Sequence, residues 1–328
     1  RKFIDMYAGR LRNQVSFMLS ACNFYMPIFE EALDAYGLPL ELRYLPIIES
    51  ALNPSAVSRA GASGLWQFMI GTGKIYGLES NSLVDERRDP IKATWAAARY
   101  LKEMYDIYGD WNLVIAAYNC GPGTINKAIR RANGETDYWK IYNYLPKETR
   151  GYVPAFIAAN YVMTYYCDHN ICPMETNIPA STDTVQVNQN LHFEQIADLC
   201  NVPLDQIKSL NPQYKKQMIP GDSKPYTLRL PIDAISTFID KQDTIYAHRA
   251  DELFRNRKTV AVKDITPATR KTTTAVAGKG KLTYYTIKSG DTLSTIAGKY
   301  GVTIKDIQRW NGMSNTKIAA GKRLKIYK

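Results

Sequence analysis

Apolar residues recur at helical steps through the first half of the chain, at Phe29, Leu33, Leu42, Leu45 and Ile48. Pro39 and Pro46 divide that stretch into short pieces. Residues 91–108 form a long helical pattern that Gly109 ends. Residues 111–119 (WNLVIAAYN) are almost wholly apolar, which predicts a short, central, buried helix. Gly121-Pro122-Gly123 then forces a turn, and Thr124 is placed to cap the next helix. A last helix is expected over 148–167, with Pro154 near its start. No sustained strand alternation occurs in residues 1–176.

The pattern changes after Pro173. Residues 182–187 alternate as a strand does, 192–200 and 203–210 suit two short helices, and 226–230 alternate again. The same strand–helix–helix–strand order returns over 283–327, with Asp291 and Thr303 placed as helix caps before Gly301 and Gly312. The two segments align at an offset of 100 residues, so that Ile196-Ala197 matches Ile296-Ala297, Val202 matches Val302, Ile207 matches Ile307 and Asn211 matches Asn311. Between them, residues 255–281 are rich in Lys, Thr and Ala without a period, as a flexible linker is. The expected organisation is a helical domain over 1–176, a module over 177–232, a helical segment and basic linker over 233–281, and a second module over 282–328. The fold class is therefore multidomain: a mainly α domain followed by small α+β modules.

Composition sharpens this only in places. At 328 residues, two or three domains are expected. Residues 1–232 hold 23 basic and 23 acidic side chains, and residues 233–328 hold 19 and 8, so the whole net charge of +11 lies in the second part. A basic tail suits an anionic polymer, an anionic lipid surface or a solvated linker. The 23 tyrosines and 5 tryptophans serve cores or carbohydrate surfaces. Of the five cysteines, Cys167 and Cys172 alone are close enough in sequence to close a small loop, and free thiols are the alternative. The chain begins at Arg1 and shows neither a signal peptide nor a run of about 18 apolar residues.

The informative stretch is Glu49–Met69, ESALNPSAVSRAGASGLWQFM. Glu49 follows the apolar residues Leu42, Leu45, Ile47 and Ile48. A carboxyl against apolar walls holds its proton more tightly, as a general acid at a glycosidic oxygen requires. The competing reading is a surface glutamate at a helix end. Other chemistries fit poorly. His169, His192 and His248 are far apart in sequence and HExxH is absent. Gly71-Thr72-Gly73-Lys74 is followed by Ile75 where a phosphate loop needs Ser or Thr. Cys120 shows no orienting partners for a cysteine nucleophile. Arg87, Arg88 and Asp89 suit an ion-pair cluster in a loop.

ESALNP, GASGLWQFM, AYNCGPG and TRGYVPAF, in that order and spacing, resemble the lytic transglycosylases of the soluble-transglycosylase and goose-type lysozyme superfamily. The resemblance covers roughly residues 28–168. The strand–helix–helix–strand segments resemble LysM modules, which bind N-acetylglucosamine-containing chains. The second copy matches well through Ser289-Gly290-Asp291-Thr292-Leu293, and the first departs, with Asn190-Leu191 in place of Asp-Thr-Leu. The resemblance implies a lysozyme-like helical domain in which Glu49 is the single catalytic acid/base. It implies that Ser50, Ser58, Gln67, Met69, Tyr118, Asn119 and Tyr152 contact or frame the substrate. It further implies no cofactor and no metal, peptidoglycan glycan strands as partner and no nucleic acid. A monomer in the bacterial cell envelope, periplasmic or attached to the outer membrane through residues preceding Arg1, is the accompanying expectation. A hydrolytic muramidase and a non-catalytic peptidoglycan-binding protein are the alternatives.

Overall fold

The computed structural model describes residues 1–176, 178–179, 181–254, 282–287, 291, 293–311, 313 and 321–327. The expected linker, 255–281, and Ser289, Gly290 and Thr292 of the second module lie outside the described residues. The chain divides into two compact units, Arg1–Pro267 and Ala268–Lys328.

The first unit is built on helices. Helix α1 (Arg12–Ala35) buries Val15, Met18, Leu19, Ala21, Tyr25, Phe29, Ala32 and Leu33, a stripe at helical spacing. A 3₁₀ turn (Leu40–Tyr44) follows Pro39, and α2 (Leu45–Ser50) carries Pro46 in its first turn, where a missing N–H costs nothing. Helix α3 (Pro90–Tyr108) starts at Asp89, whose carboxylate accepts from Ile91 N and Lys92 N, each at 3.0 Å, and Gly109 at φ 61° ends it. Helix α4 (Trp111–Cys120) is capped by Asp110 and buries Leu113 to Ala117 without a break, so it runs through the centre of the domain. It packs on α3 and on the last long helix, α6 (Lys147–Thr164). Around these, Trp66 lies edge-on to Phe29, with ring centroids 5.3 Å apart, and its indole donates to Thr94 Oγ1 at 2.8 Å.

Two local expectations are corrected. Helix α5 (Pro122–Arg131) begins one residue after Gly121, so Thr124 lies inside its first turn. The Thr124 hydroxyl donates backwards to Cys120 O at 2.8 Å and joins the two helices rather than capping one. Of Arg87, Arg88 and Asp89, expected as an ion-pair cluster in a loop, Arg87 forms an ion pair and the other two serve differently. Arg87 is buried with Asp85, Arg88 donates to Ser63 Oγ at 3.1 Å, and Asp89 caps α3. All five cysteines are free thiols, with Cys167 and Cys172 exposed.

Residues 182–247 form a second core in the same unit. Strand β1 (Thr182–Val187) pairs antiparallel with β4 (Tyr226–Pro231), Val187 opposite Tyr226. Between them, β2 (Asn190–His192) pairs with β3 (Met218–Pro220), and α7 (Phe193–Cys200) and α8 (Leu204–Leu210) cover the sheet. Helices α9 (Ile232–Asp240) and α10 (Gln242–Ala247) return to this core with Phe238, Ile245 and Tyr246. Buried Gln195 secures them by donating to the carbonyls of Tyr246 and His248, at 3.0 and 2.7 Å. Leu83 and Val84, from the helical domain, complete the same core.

The second unit repeats the plan, with β5 (Leu282–Thr286) antiparallel to β6 (Arg323–Tyr327), and α11 (Leu293–Tyr300) and α12 (Ile304–Asn311) between them. The matched asparagines do one job in both copies. Asn211 Nδ2 donates to the carbonyls of Ile207 and Arg229, at 2.9 and 2.8 Å, and its Oδ1 accepts from Arg229 N at 2.8 Å. Asn311 does the same with Ile307 and Lys325. One amide thus ties the second helix of each module to its last strand. Replacing Asn211 by Ala strands the N–H and the carbonyl of Arg229 and removes one of two donors on Ile207 O. The expected cost is about 1–3 kcal/mol, read by denaturant unfolding followed at the 182–247 core.

Candidate active site

Glu49 lies in the last turn of α2, which stops abruptly because Ala51 (φ 51°) and Leu52 (φ 58°) are both left-handed. Ser50 locks that ending. Its hydroxyl sits 3.0 Å from Pro46 O, in its own helix, and 2.9 Å from Leu65 O, in the loop that follows. The loop closes on itself through a turn in which Ser63 and Phe68 exchange backbone hydrogen bonds of 3.0 and 3.1 Å. Gln67 sits at its tip with φ 47°, its amide donating to Gly64 O at 2.8 Å and lying 3.3 Å from Ala56 O. Ser58 accepts from Ala62 N at 3.0 Å and shapes the loop's outer turn. Met69 is exposed at 46%.

The far side comes from α4 and α6. The Tyr152 hydroxyl, on α6, donates to Glu49 Oε1 across 103 positions of sequence. Tyr118, near the end of α4, donates to Trp66 O at 2.7 Å, and its ring lies 5.5 Å from that of Tyr100. The next residue, Asn119, accepts from Thr149 Oγ1 at 2.9 Å, which bridges the end of α4 to the start of α6. Glu49, Tyr118 and Tyr152 therefore form one group, in which the Glu49 charge acts on both phenols. Ser50, Gln67 and Ser58 hold backbone nearby, and Asn119 holds the Thr149 side chain. The arrangement gives Ser50 and Ser58 other partners than the carboxyl, and the hydroxyl on Glu49 is that of Tyr152.

Burial pushes the Glu49 carboxyl up to about 7, against the Tyr152 hydrogen bond, which favours the ionised form, and with a small further rise from the Glu148 carboxylate. Burial also lifts the Tyr118 and Tyr152 phenols well above their ordinary value, Glu49 adding to both, so each stays a neutral donor. Glu49 is thus a carboxyl that exchanges a proton near neutrality beside a fixed phenolic donor. Three contributors were not singled out in the sequence: the Trp66 carbonyl that holds Tyr118, Thr149 that holds Asn119, and the exposed Glu148. Thr149 opens the TRGYVPAF motif and was within reach of the reading, whereas a backbone carbonyl carries no residue-specific signal. Among the described residues no cluster of three His, Cys, Asp or Glu is arranged to hold a metal ion, and no helix is long and apolar enough to cross a membrane.

The chain matches the transglycosylase SLT domain over residues 26–141. It matches the lytic transglycosylase MltD LysM-like domain over 181–247 and the LysM domain over 285–326. Membrane-bound lytic murein transglycosylase D of Escherichia coli (strain K12) is 33% identical over 294 residues, covering 88% of this chain and 60% of that protein. The soluble lytic murein transglycosylase of the same strain is 33% identical over 124 residues, 36% of this chain and 19% of that one. The crystal structure of the 70 kDa soluble lytic transglycosylase of Escherichia coli aligns over 44% of this chain and 24% of that chain, at 29% identity and a TM-score of 0.38. The chain spans 60% of the length of the first of these relatives. Residues 26–141 belong to the transglycosylase SLT domain family, and LysM-family domains follow them in the same chain.

Proposed function

We propose that this chain cleaves peptidoglycan glycan strands as a lytic transglycosylase of the cell envelope, held on the polymer by LysM-type modules. The observation that carries the reading is the raised carboxyl of Glu49, with the Tyr152 hydroxyl on its Oε1. In the reading, protonated Glu49 gives its proton to the bridging oxygen as the bond from C1 of N-acetylmuramic acid breaks. The N-acetyl oxygen of the same sugar stabilises the developing cation. Ionised Glu49 then takes the proton of the C6 hydroxyl, and O6 bonds to C1 to leave a 1,6-anhydro end. One carboxyl serves both steps because the nucleophile belongs to the substrate, and positioning replaces an activated water. Tyr152 supports the ionised half of the cycle. Tyr118 and Gln67 frame the sugar, with Met69, Ser58, Ser50 and Asn119 shaping the groove.

Glu148 favours a second reading, because its carboxylate is near enough to raise Glu49 and hydrolases of this bond use two carboxyls. Product mass separates the two, since anhydro ends lack one water. Glu148→Gln should leave the anhydro product unchanged and move the alkaline limb of the rate profile slightly down from about 7, whereas loss of all cleavage in that variant favours hydrolysis. Tyr152→Phe removes the hydrogen bond that favours the ionised form, so its limb should move up from about 7.

Glu49→Gln should lose at least about 10²–10⁴-fold in turnover, because the amide neither gives nor takes the proton. Its stability should move the other way. In the wild type the carboxyl is partly desolvated, so a folding penalty grows as pH rises from the ordinary 4.5 to the raised 7 and levels off above it, and below 4.5 it is absent. Unfolding curves should therefore favour the variant at about pH 8 relative to acid.

Deleting 268–328 removes a separate compact unit and leaves every motif residue of the first. Binding to insoluble wall should fall far more than cleavage of short soluble strands, since tethering raises local substrate concentration without entering the groove. Equal losses in the two assays would assign this module to the groove itself.

A further inference from the structure

The module over 182–247 is joined to the helical domain by more than a covalent connection. Asp85 N donates to Gln213 O at 2.9 Å and Lys215 N to Leu83 O at 2.8 Å, with Val84 bridged to Tyr214, so a strand-like pairing crosses between the two cores. Leu83 and Val84 are buried in the module's own core. Lys215 Nζ donates to Asn81 O at 2.7 Å and lies 3.7 Å from Asp85 Oδ2. Tyr226 and Lys224 hold Glu79 at 3.0 and 2.8 Å.

From Asp85 the connections continue inward. Arg87 is buried and grips Asp85 with Nε and Nη2, both at 2.8 Å. Its Nη1 donates to Gly61 O at 2.8 Å and to Phe68 O at 2.9 Å, spanning the base of the loop that faces Glu49. Arg88 adds a bond to Ser63 Oγ. Gly64 packs so closely that a Cβ there would meet Arg87 O at 1.7 Å. The Ser63–Phe68 turn that Arg87 grips carries the Leu65 carbonyl that Ser50 binds, the Trp66 carbonyl that Tyr118 binds, and Gln67. Burial alone would raise Asp85; Arg87, with Lys215 and Arg88 behind it, holds it below the ordinary carboxylate value, so the charge at the middle of the chain of contacts persists.

We infer that the 182–247 module is a positioning element of the Glu49 site. It acts through Gln213 and Lys215 on Asp85, through Asp85 on Arg87, and through Arg87 on the Ser63–Phe68 turn. The segment that follows Asn211 is spent on the helical domain's own loop, which gives this departed copy a task other than holding sugar. Arg87 is a positioning residue, because it is buried and its partners are Asp85 and the carbonyls of the loop. The inference rests on Glu49 being the catalytic acid/base only for its activity readout.

The test uses the whole chain with Arg87→Met, Arg87→Lys and Lys215→Met, and Arg249→Ala as a control on the module's surface ion pairs with Asp198 and Glu194. Two quantities are measured well below the unfolding temperature: kcat and KM on soluble glycan strands, and hydrogen exchange of the Ser63, Gly64 and Phe68 amides. Arg87→Met is expected to lower kcat between about 10- and 100-fold with KM nearly unchanged, as a small misplacement of a catalytic loop does. Arg87→Lys keeps a charge for Asp85 but cannot span both carbonyls, so it should recover stability more than kcat. Lys215→Met, made wholly within the module, should speed exchange at the three loop amides, and Arg249→Ala should change neither quantity. If Arg87→Met does not fold, the other two variants carry the test. Wild-type kcat and exchange in both Arg87→Lys and Lys215→Met overturn the inference. A wild type that releases no fragments sinks the enzymatic reading instead, and the exchange measurement still decides the positioning role.

Discussion

Shielding one carboxyl group from most of its water is the constraint that the walls of this site answer. An acid that is protonated near neutrality needs apolar walls, yet it must also stay reachable, so it cannot sit in mid-helix at the core. A helix of six residues meets both demands. Pro46 starts it, Ile47 is buried beneath it, and two left-handed residues end it just past Glu49. Ala51 and Leu52 each hold a backbone conformation that non-glycine residues enter at a cost of order 1 kcal/mol. The surroundings hold them there: Leu52 is fully buried, and Ser50 joins the helix to Leu65 O. Strain is thus concentrated beside the one side chain whose environment matters most.

The tyrosines answer the remaining half of the constraint. A desolvated carboxyl without a donor would resist ionising altogether, and a charged donor would hold it ionised. A phenol whose own proton is held tightly lies between these extremes. Tyr152 fills that place, and Tyr118, turned to the Trp66 carbonyl, keeps a second buried phenol satisfied without adding a second bond to Glu49. The Tyr118 hydrogen bond fastens α4 to the loop, while that of Tyr152 joins α6 to α2 at the acid itself.

What was legible in the sequence follows from how local each signal is. The α4 run and the Pro90–Tyr108 helix with its closing glycine are patterns within twenty residues, and they appear where periodicity puts them. The recurrence of Asn211 at Asn311 was visible as a spacing, and its reason is a set of three hydrogen bonds repeated in each module. Thr124 was misread because a hydroxyl near a helix start can face either way, and here a carbonyl of the preceding helix lies within reach. Arg87 does enter an ion pair, as charge beside charge in sequence suggests, but not with its expected neighbours. Its true partners are a carboxylate two residues back and two carbonyls 19 and 26 positions away, which only the folded loop brings together. The donor on Glu49 was equally hidden, since nothing in the order of residues distinguishes Ser50, one position away, from Tyr152 on a different helix.

Charge is distributed unevenly along the chain. Residues 1–232 are balanced, with 23 basic and 23 acidic side chains, while the whole excess of +11 lies in 233–328. A strong net positive field around Glu49 would favour its ionised form and oppose the burial that raises it. Residues 1–232 are balanced in charge, and the causes of the shift at Glu49 are short-range: desolvation first, then Tyr152, then Glu148. Interactions at those distances are screened little by salt, whereas attraction between a basic tail and an anionic polymer is screened within about 10 Å. Salt would therefore weaken a contact between the 233–328 charges and an anionic surface before it moved the proton affinity of Glu49.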